Sequence, residues 1–344
     1  MTGNGTEANP YLIFTPYDLK AALEADYPPD LIEYRYYKHL SFQNDIDFND
    51  YPDITPLPYR YFRSNHSGYW EGFTYVHGNG YKIKNLFMGA NVDSTQLFPI
   101  DEKNTTIFES FSLIEITIVN SVTNGDFWLF GYSRNYNTYY NFVDCVFNIK
   151  YYGYNSSNSD DNNQVFRNGN ITNCVINFEL YYNNLSANFG LCRDTRIKYS
   201  TINMKLIYTG LTDIGNSKKQ YVTRGAVENM VDHCTVFMTT VNMHANGGIL
   251  QTQDSRYNVF KDCFFVFKNG ETANPDYKAF CLAFWYSTYG ESTGVNGTCA
   301  YDADVIDPNE VVVSNVSGTL LACTTAQSKD AAYLASQGFD ISTS

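Results

Sequence analysis

The sequence predicts an all-β fold: a single-stranded parallel β-helix, a solenoid of stacked turns closed by short helical caps at both ends. Three observations predict it. A short apolar pattern recurs seven times at a period typical of stacked repeats. Each copy alternates with a period of two, as a strand with one buried face does. The copies also follow one another without the two-residue hairpin turns of a β-sandwich, so successive strands stack in parallel.

The copies centre on Leu86, Ile114, Cys145, Cys174, Ser200, Cys234 and Cys263, with gaps of 28, 31, 29, 26, 34 and 29 residues. Three positions before each centre stand Ile83, Phe111, Phe142, Ile171, Ile197, Val231 and Phe260. Apolar residues also stand two and four positions after every centre, from Met88 and Ala90 to Phe265 and Phe267. The step of three breaks the alternation, so the chain bends there. Asn85, Asp144, Asn173 and Asp262 immediately precede four centres, and Asn and Asp tolerate the left-handed backbone of a sharp bend. Leu113, Tyr199 and His233 are the exceptions. A further apolar segment precedes most bends, so each repeat holds two or three short strands. At about 4.8 Å per turn, seven turns make a rod of roughly 30 Å.

The elements fall into three regions. Residues 1–35 form an N-terminal cap, with Thr15-Pro16 starting a helix over Tyr17–Ala25. Residues 36–318 are the β-helix, interrupted by polar insertions at 150–165 and 207–222. Phe280–Tyr286 and Val311–Val316 continue its strands. Residues 319–344 form a C-terminal cap, with a helix over Thr324–Gln337 stopped by Gly338.

Composition narrows the function. Net charge is −13, which excludes nucleic acid as a partner because phosphate binding needs clustered Lys and Arg. No apolar run of 18 residues exists, so membrane insertion is not expected. No leader is visible before Pro10. Only 17% of residues are charged, while Tyr alone numbers 30. A surface of Tyr and neutral polar groups suits carbohydrate or a wet protein interface. The eight Cys contain no CxxC. Those at 145, 174, 234 and 263 share one repeat column and read as free, buried thiols.

Several stretches carry a family resemblance. They are Asn9-Pro10-Tyr11-Leu12-Ile13 with Asp18-Leu19, Tyr36-Tyr37-Lys38 with Asn44-Asp45-Ile46-Asp47, and the run His77 to Leu86. Together they resemble the start of pectate-lyase-like right-handed β-helix proteins, common among surface and phage proteins of gut Bacteroidetes. The resemblance covers about the first 90 residues. It implies right-handedness and leaves function open, since that coil serves lyases, hydrolases, adhesins and phage spikes.

Candidate chemistry is sparse. Arg167, Arg193 and Arg256 each stand seven residues before a centre, with Arg224 close to that column. Stacked arginines suit an acidic sugar, so Arg193 and Asp254 are the catalytic candidates for a lyase or hydrolase. Asp194 and Asp254 occupy comparable positions too many turns apart to act as one glycosidase pair. His39, His66, His77, His233 and His244 read as scattered, and no cofactor or metal spacing is visible. Tyr136, Tyr139, Tyr140, Tyr151, Tyr152 and Tyr154 are the candidate glycan-binding residues. Phe237, Phe264 and Val266 fall at outward positions and form a candidate interface.

The expectation is a non-enzymatic bacteriophage virion protein: a fibre, spike or decoration subunit on the virion surface. It would assemble with other virion proteins or as a homotrimer, and touch host-surface glycan. A secreted bacterial adhesin and a glycan-degrading tailspike or lyase are the alternatives.

Overall fold

A computed structural model describes residues 1–24, 38–51, 73–90, 106–120, 127–130, 140–153, 163–182, 189–209, 220–224, 229–241, 258–269, 294–305 and 318–339. These are mostly strands, arranged in two long sheets in which every paired strand is parallel to its neighbour. The chain alternates between the sheets. In the first, Tyr140–Val143, Asn163–Thr172, Phe189–Lys198, Asn229–Asp232 and Asn258–Lys261 lie side by side in that order. In the second, Ser112–Asn120, Val146–Gly153, Val175–Tyr182, Thr201–Tyr208, Thr235–Val241 and Phe264–Asn269 do the same. Each repeat thus lays one strand on each sheet beside the strands of the repeat before. Among the described residues no helix is long and apolar enough to cross a membrane.

The bends fall where the apolar step of three places them. Asp144, Asn173, Tyr199, His233 and Asp262 all have φ between 51° and 56°, a left-handed backbone that Asn and Asp adopt readily and Tyr and His at some cost. The second repeat departs from expectation. Its bend is Ser110, with φ 49°, while Leu113 lies buried inside a strand. The column therefore passes through Phe111 instead of Ile114: the Val146 amide donates to the Phe111 carbonyl as the Val175 amide donates to that of Cys145. Apolar residues at Phe111, Leu113, Ile114, Ile116 and Ile118 fit two registers, because Leu113 and Ile114 are adjacent, and a β-bulge absorbs the difference. Ile114 and Glu115 stand opposite the single residue Asn148. At the far end the column extends to Cys299, because the Ala300 amide donates to the Cys263 carbonyl.

The column is more than a row of small hydrophobes. Each side chain donates to the carbonyl two residues back: Cys145 to Val143, Cys174 to Thr172 and Cys234 to Asp232 at 3.2 Å, Ser200 to Lys198 at 2.7 Å. Several also accept from the amide of the preceding repeat, as Cys174 Sγ does from Cys145 at 3.4 Å and Ser200 Oγ from Cys174 at 3.0 Å. A left-handed bend turns that amide inward, and the thiol or hydroxyl satisfies it. Ser therefore replaces Cys at position 200 without a gap in the chain of bonds. The thiols are free and buried. Burial, with the contacts to Cys234 and Cys299, pushes Cys263 well above the ordinary thiol range, so it stays a donor. Cys281 lies outside the described residues.

This bonding orders two substitutions against hydrophobicity. Cys174→Ser is expected to cost about 1 kcal/mol or less, because the hydroxyl keeps both bonds. Cys174→Val leaves the buried Cys145 amide without its acceptor, at about 1–3 kcal/mol. Urea midpoints of the two variants check the order; Val equal to or better than Ser would reduce the column to packing.

Both predicted cap helices form. The first, α1 (Pro16–Glu24), starts as expected. Thr15 Oγ1 accepts the Asp18 amide at 3.2 Å and Asp18 Oδ2 accepts the Thr15 amide at 3.1 Å, a reciprocal capping box. The second, α2 (Ala331–Ser336), is shorter than the predicted Thr324–Gln337. Asp330 restarts the chain there by capping the Tyr333 amide at 3.0 Å, after a 3-10 turn at Gln327–Lys329. Gly338, with φ 84°, ends α2 in a Schellman motif: the Phe339 amide donates to Leu334 and the Gly338 amide to Ala335. Leu334 packs with Ala300 and Cys323, and Tyr333 and Phe339 close over them. The second sheet reaches into the predicted cap, since Thr319–Cys323 pairs with Thr298–Asp302. The strands expected at Phe280–Tyr286 and Val311–Val316 lie outside the described residues.

Candidate functional site

The second sheet sorts its residues by parity. Phe147, Ile149 and Tyr151, with Ile176, Phe178 and Leu180, are buried. Asn148, Lys150 and Tyr152 point outward, in register with Asn177, Glu179 and Tyr181, and these last with Asn203, Lys205 and Ile207. Position-for-position stacking turns like residues into ladders. Asn203 Nδ2 donates to Asn177 Oδ1 at 2.6 Å, and Asn177 donates on to Asn148. Tyr152 and Tyr181 stack with centroids 4.6 Å apart and planes 12° from parallel. The Tyr181 hydroxyl donates to Glu179 Oε2 at 2.8 Å, and burial followed by that carboxylate pushes Tyr181 up to about 12. Side-chain bonds also join the same repeats: Asn170 donates to the Asn141 amide at 2.7 Å on the first sheet, and Asn173 donates to the Asp144 carboxylate at the bend.

The amide ladder stops at the next strand, where Phe237 pairs with Asn203 and Val266 with Phe237. Phe237 is 41% exposed and cannot extend an amide chain. Val266 beside it is half-buried. Phe264 differs from its assignment to an interface: it is half-buried and packs against the cluster of Ala300, Cys323 and Leu334. The chain's own C-terminal end covers it.

Two of the six candidate glycan-binding tyrosines are also corrected. Tyr140 is 0% exposed, with its hydroxyl 3.2 Å from Thr195 Oγ1, and Tyr151 is 1% exposed. Tyr151 continues the inward parity of Phe147 and Ile149, which leaves Tyr152 as the outward residue of that pair. Tyr136, Tyr139 and Tyr154 lie outside the described residues. So do Asp254 and Arg256. Backbone pairing sets Arg167 beside Arg193 and Arg193 beside Arg224 on three neighbouring strands of the first sheet.

Two histidines that read as scattered come together. His39 and His77 stand on adjacent strands with ring centroids 6.1 Å apart, and Tyr75 stacks on both. The Tyr75 hydroxyl donates to Glu109 Oε2 at 2.5 Å. His39 is buried, and its Nδ1 has no hydrogen-bond partner. Burial pushes both imidazoles below the ordinary His range, against the pull of Glu7 and, at His77, of Glu109. The native state therefore holds them neutral, while the unfolded chain takes up protons near about pH 6.5. A folded value below the unfolded one gives stability that is full above about pH 6.5 and is lost as pH falls through the lowered folded values. The urea midpoint is expected to drop over that window, with a shallower slope in His39→Gln. An unchanged slope in that variant would sink the assignment.

A third cluster sits at the bends. Asp232 ends a first-sheet strand, His233 is the bend residue, and Asp262 is the bend residue of the next repeat. His233 Nδ1 lies 2.6 Å from Asp232 Oδ1, and Nε2 lies 4.0 Å from Asp262 Oδ2. Lys198 Nζ is 3.7 Å from Asp232 Oδ2, and Lys261 Nζ is 3.7 Å from Asp262 Oδ2. Both carboxylates are buried. Among the described residues this is the one group of three side chains placed to hold a metal ion. The sequence held the signal: His233 and Asp262 occupy one column a single repeat apart, which brings their side chains to the same edge.

No family model matches the chain, and neither a curated protein nor a solved structure does. The arrangement of these residues is therefore the whole basis for a functional reading.

Proposed function

We propose that this chain is a right-handed, pectate-lyase-like parallel β-helix serving as a non-enzymatic structural subunit of a bacteriophage virion. It would be a fibre, spike or decoration protein that assembles with other virion proteins or as a homotrimer and touches host-surface glycan. One observation carries the reading: the outward face on which Asn148, Asn177 and Asn203 form an amide ladder beside the stacked Tyr152 and Tyr181. Flat aromatic rings give sugar C–H faces a surface to stack on, and amides bond sugar hydroxyls. Fixed by the sheet, these groups lose little entropy on binding. Support also comes from residues already engaged in architecture, since Asp144, Asp262, His233 and the column cysteines all serve the bends.

Purified protein is incubated with host capsular polysaccharide or lipopolysaccharide. Binding at least tenfold weaker in Tyr152→Ala or Tyr181→Ala, with unchanged thermal unfolding, is expected. Binding indifferent to both would remove the face from the reading, and release of oligosaccharide would replace the non-enzymatic role with a glycan-degrading one. Mass spectrometry of purified virions tests the location.

A further inference from the structure

Among the described residues, one buried side-chain nitrogen or oxygen has no hydrogen-bond partner: His39 Nδ1. His39 alternates with the inward Leu40 and stands beside Tyr75, so its parity is outward, yet it is only 7% exposed. The N-terminal segment lies against it. The His39 amide donates to the Gly5 carbonyl at 2.8 Å, and the charge of Glu7 acts on the ring.

That segment, Thr2–Pro10, is a folded strap. Asn4 and Gly5 donate to the Asn9 carbonyl, Asn9 donates back to Thr6, and Leu12 donates to Thr2 across the outer side of Tyr11–Ile13. Tyr11–Ile13 is the terminal strand of the first sheet, so the strap covers an edge that would otherwise be open to pairing. Gly5, at φ 77°, sits on the Tyr11 ring, where a Cβ would come within 2.5 Å of it. The remaining hold is slight among the described residues: the carbonyls of Gly5 and Thr2, and the Met1 ammonium 2.5 Å from Asp18 Oδ1. Terminal segments tied down by so little open locally, without the rest of the fold.

We propose that this strap is an acid-released cover, closed over His39 at neutral pH and let go when His39 and His77 take up protons. A neutral imidazole bears a missing hydrogen bond at modest cost. An imidazolium has a donor on both nitrogens and a full charge, which a buried site without an acceptor does not support. The second ring, with its centroid 6.1 Å away, adds like-charge repulsion. Among the described residues the groups facing this pair are Glu7 on the strap, Tyr75 beside His77, and Glu109 on the next strand. The two carboxylates oppose release, because they attract the protonated rings. Both are exposed, so water and salt screen them, and Glu109 already accepts the Tyr75 hydroxyl. Burial outweighs them at both rings, so protons bind the open state more tightly. Closure is complete above about pH 6.5, the ordinary His value, and is lost as pH falls through the lowered values of the closed state. Opening leaves Tyr11–Ile13 as a bare sheet edge.

Hydrogen exchange read by mass spectrometry on the full chain tests the strap. Protection of peptides spanning Asn4–Leu12 and His39 should fall at least about tenfold from about pH 7.5 to about pH 5, after correction for the chemical exchange rate, since one linked proton gives up to about tenfold per pH unit. Val175–Tyr182 should keep its protection, because distant repeats open independently. His39→Gln stays neutral and should lose most of the response. Glu7→Gln should enlarge it, since it removes an attraction that favours the closed, protonated state. A strap released by titration of its own carboxylate would behave oppositely, with the response abolished in Glu7→Gln. Unchanged protection in the wild type, a loss shared by Val175–Tyr182, or a full acid response in His39→Gln would each overturn the proposal. Should His39→Gln be unprotected at both pH values, the Glu7→Gln result decides alone.

Discussion

Phe142→Ala is expected to destabilise the protein by about 3–5 kcal/mol, the range for deleting a fully buried phenyl group. Phe142 is 0% exposed and lies at the centre of an aromatic cluster spanning three repeats. Its ring stacks on Phe108 at 4.4 Å and meets Phe130 edge-on at 4.7 Å and Phe147 at 5.0 Å. Tyr140 at 5.1 Å and Phe166 at 5.8 Å complete the shell. Rings on opposite strands cannot close a hole of that size, because their backbones are held at sheet spacing by ladder hydrogen bonds. Each repeat contacts chiefly its neighbours, so the defect is expected to remain regional. Amide exchange should accelerate in Thr106–Glu109, Tyr140–Val143 and Asn163–Thr172, and stay near wild type in Thr319–Cys323 and α2. Phe142→Leu should recover most of the loss, since it restores apolar volume. A loss below about 1 kcal/mol, or uniform acceleration along the chain, would contradict this account of the core.

What the sequence makes legible follows from the period of the fold. Burial alternates along a strand and repeats from strand to strand, so Phe142, Ile171, Ile197, Val231 and Phe260 declare their shared column before any coordinate is known, and all five are buried. The bends are legible for the same reason, except where apolar residues are too dense. At Phe111–Ile118 the adjacent Leu113 and Ile114 could each face inward, so the pattern does not choose between registers, and the backbone resolves the choice with a bulge. Parity errors arise at strand ends: Tyr151 and Tyr152 are chemically alike, and only the count from Phe147 separates the buried one from the outward one.

Sites are less legible because they depend on neighbours one repeat away rather than on adjacent residues. Asn148, Asn177 and Asn203 are unremarkable alone in a chain rich in Asn; register makes them a ladder. His233 and Asp262 are each explained locally as bend residues, and that explanation hides their meeting. A bend needs only a tolerant backbone, which Gly, Asn or Asp supplies, so a histidine held at φ 52° is a more costly choice than the turn requires. Tyr199, at φ 51° in the same column, carries a like cost, so the cost alone marks no site.

The second large effect is expected at a residue with no side chain. Tyr140, Gly169 and Thr195 are paired across three neighbouring strands of the first sheet. The Tyr140 ring lies over Gly169, and its hydroxyl reaches Thr195 Oγ1, 3.2 Å away. A Cβ built on Gly169 would fall inside the Tyr140 ring's van der Waals surface. The ring has no room to retreat, because Phe142 and Phe166 pack against it at 5.1 and 6.2 Å. Gly169→Ala is therefore expected to cost about 3 kcal/mol, the upper part of the overpacking range, although Ala ordinarily improves a strand over Gly. Tyr140→Leu removes the clash while sacrificing the hydroxyl contact. The double variant should accordingly be at least about 1 kcal/mol more stable than the two single losses added together, which a double-mutant cycle in urea resolves. Additive losses would mean that the ring does not fill the glycine's space. The result would also decide the role of Tyr140: a tyrosine on a glycan-facing surface would not notice a methyl group on Gly169, whereas one wedged between repeats must.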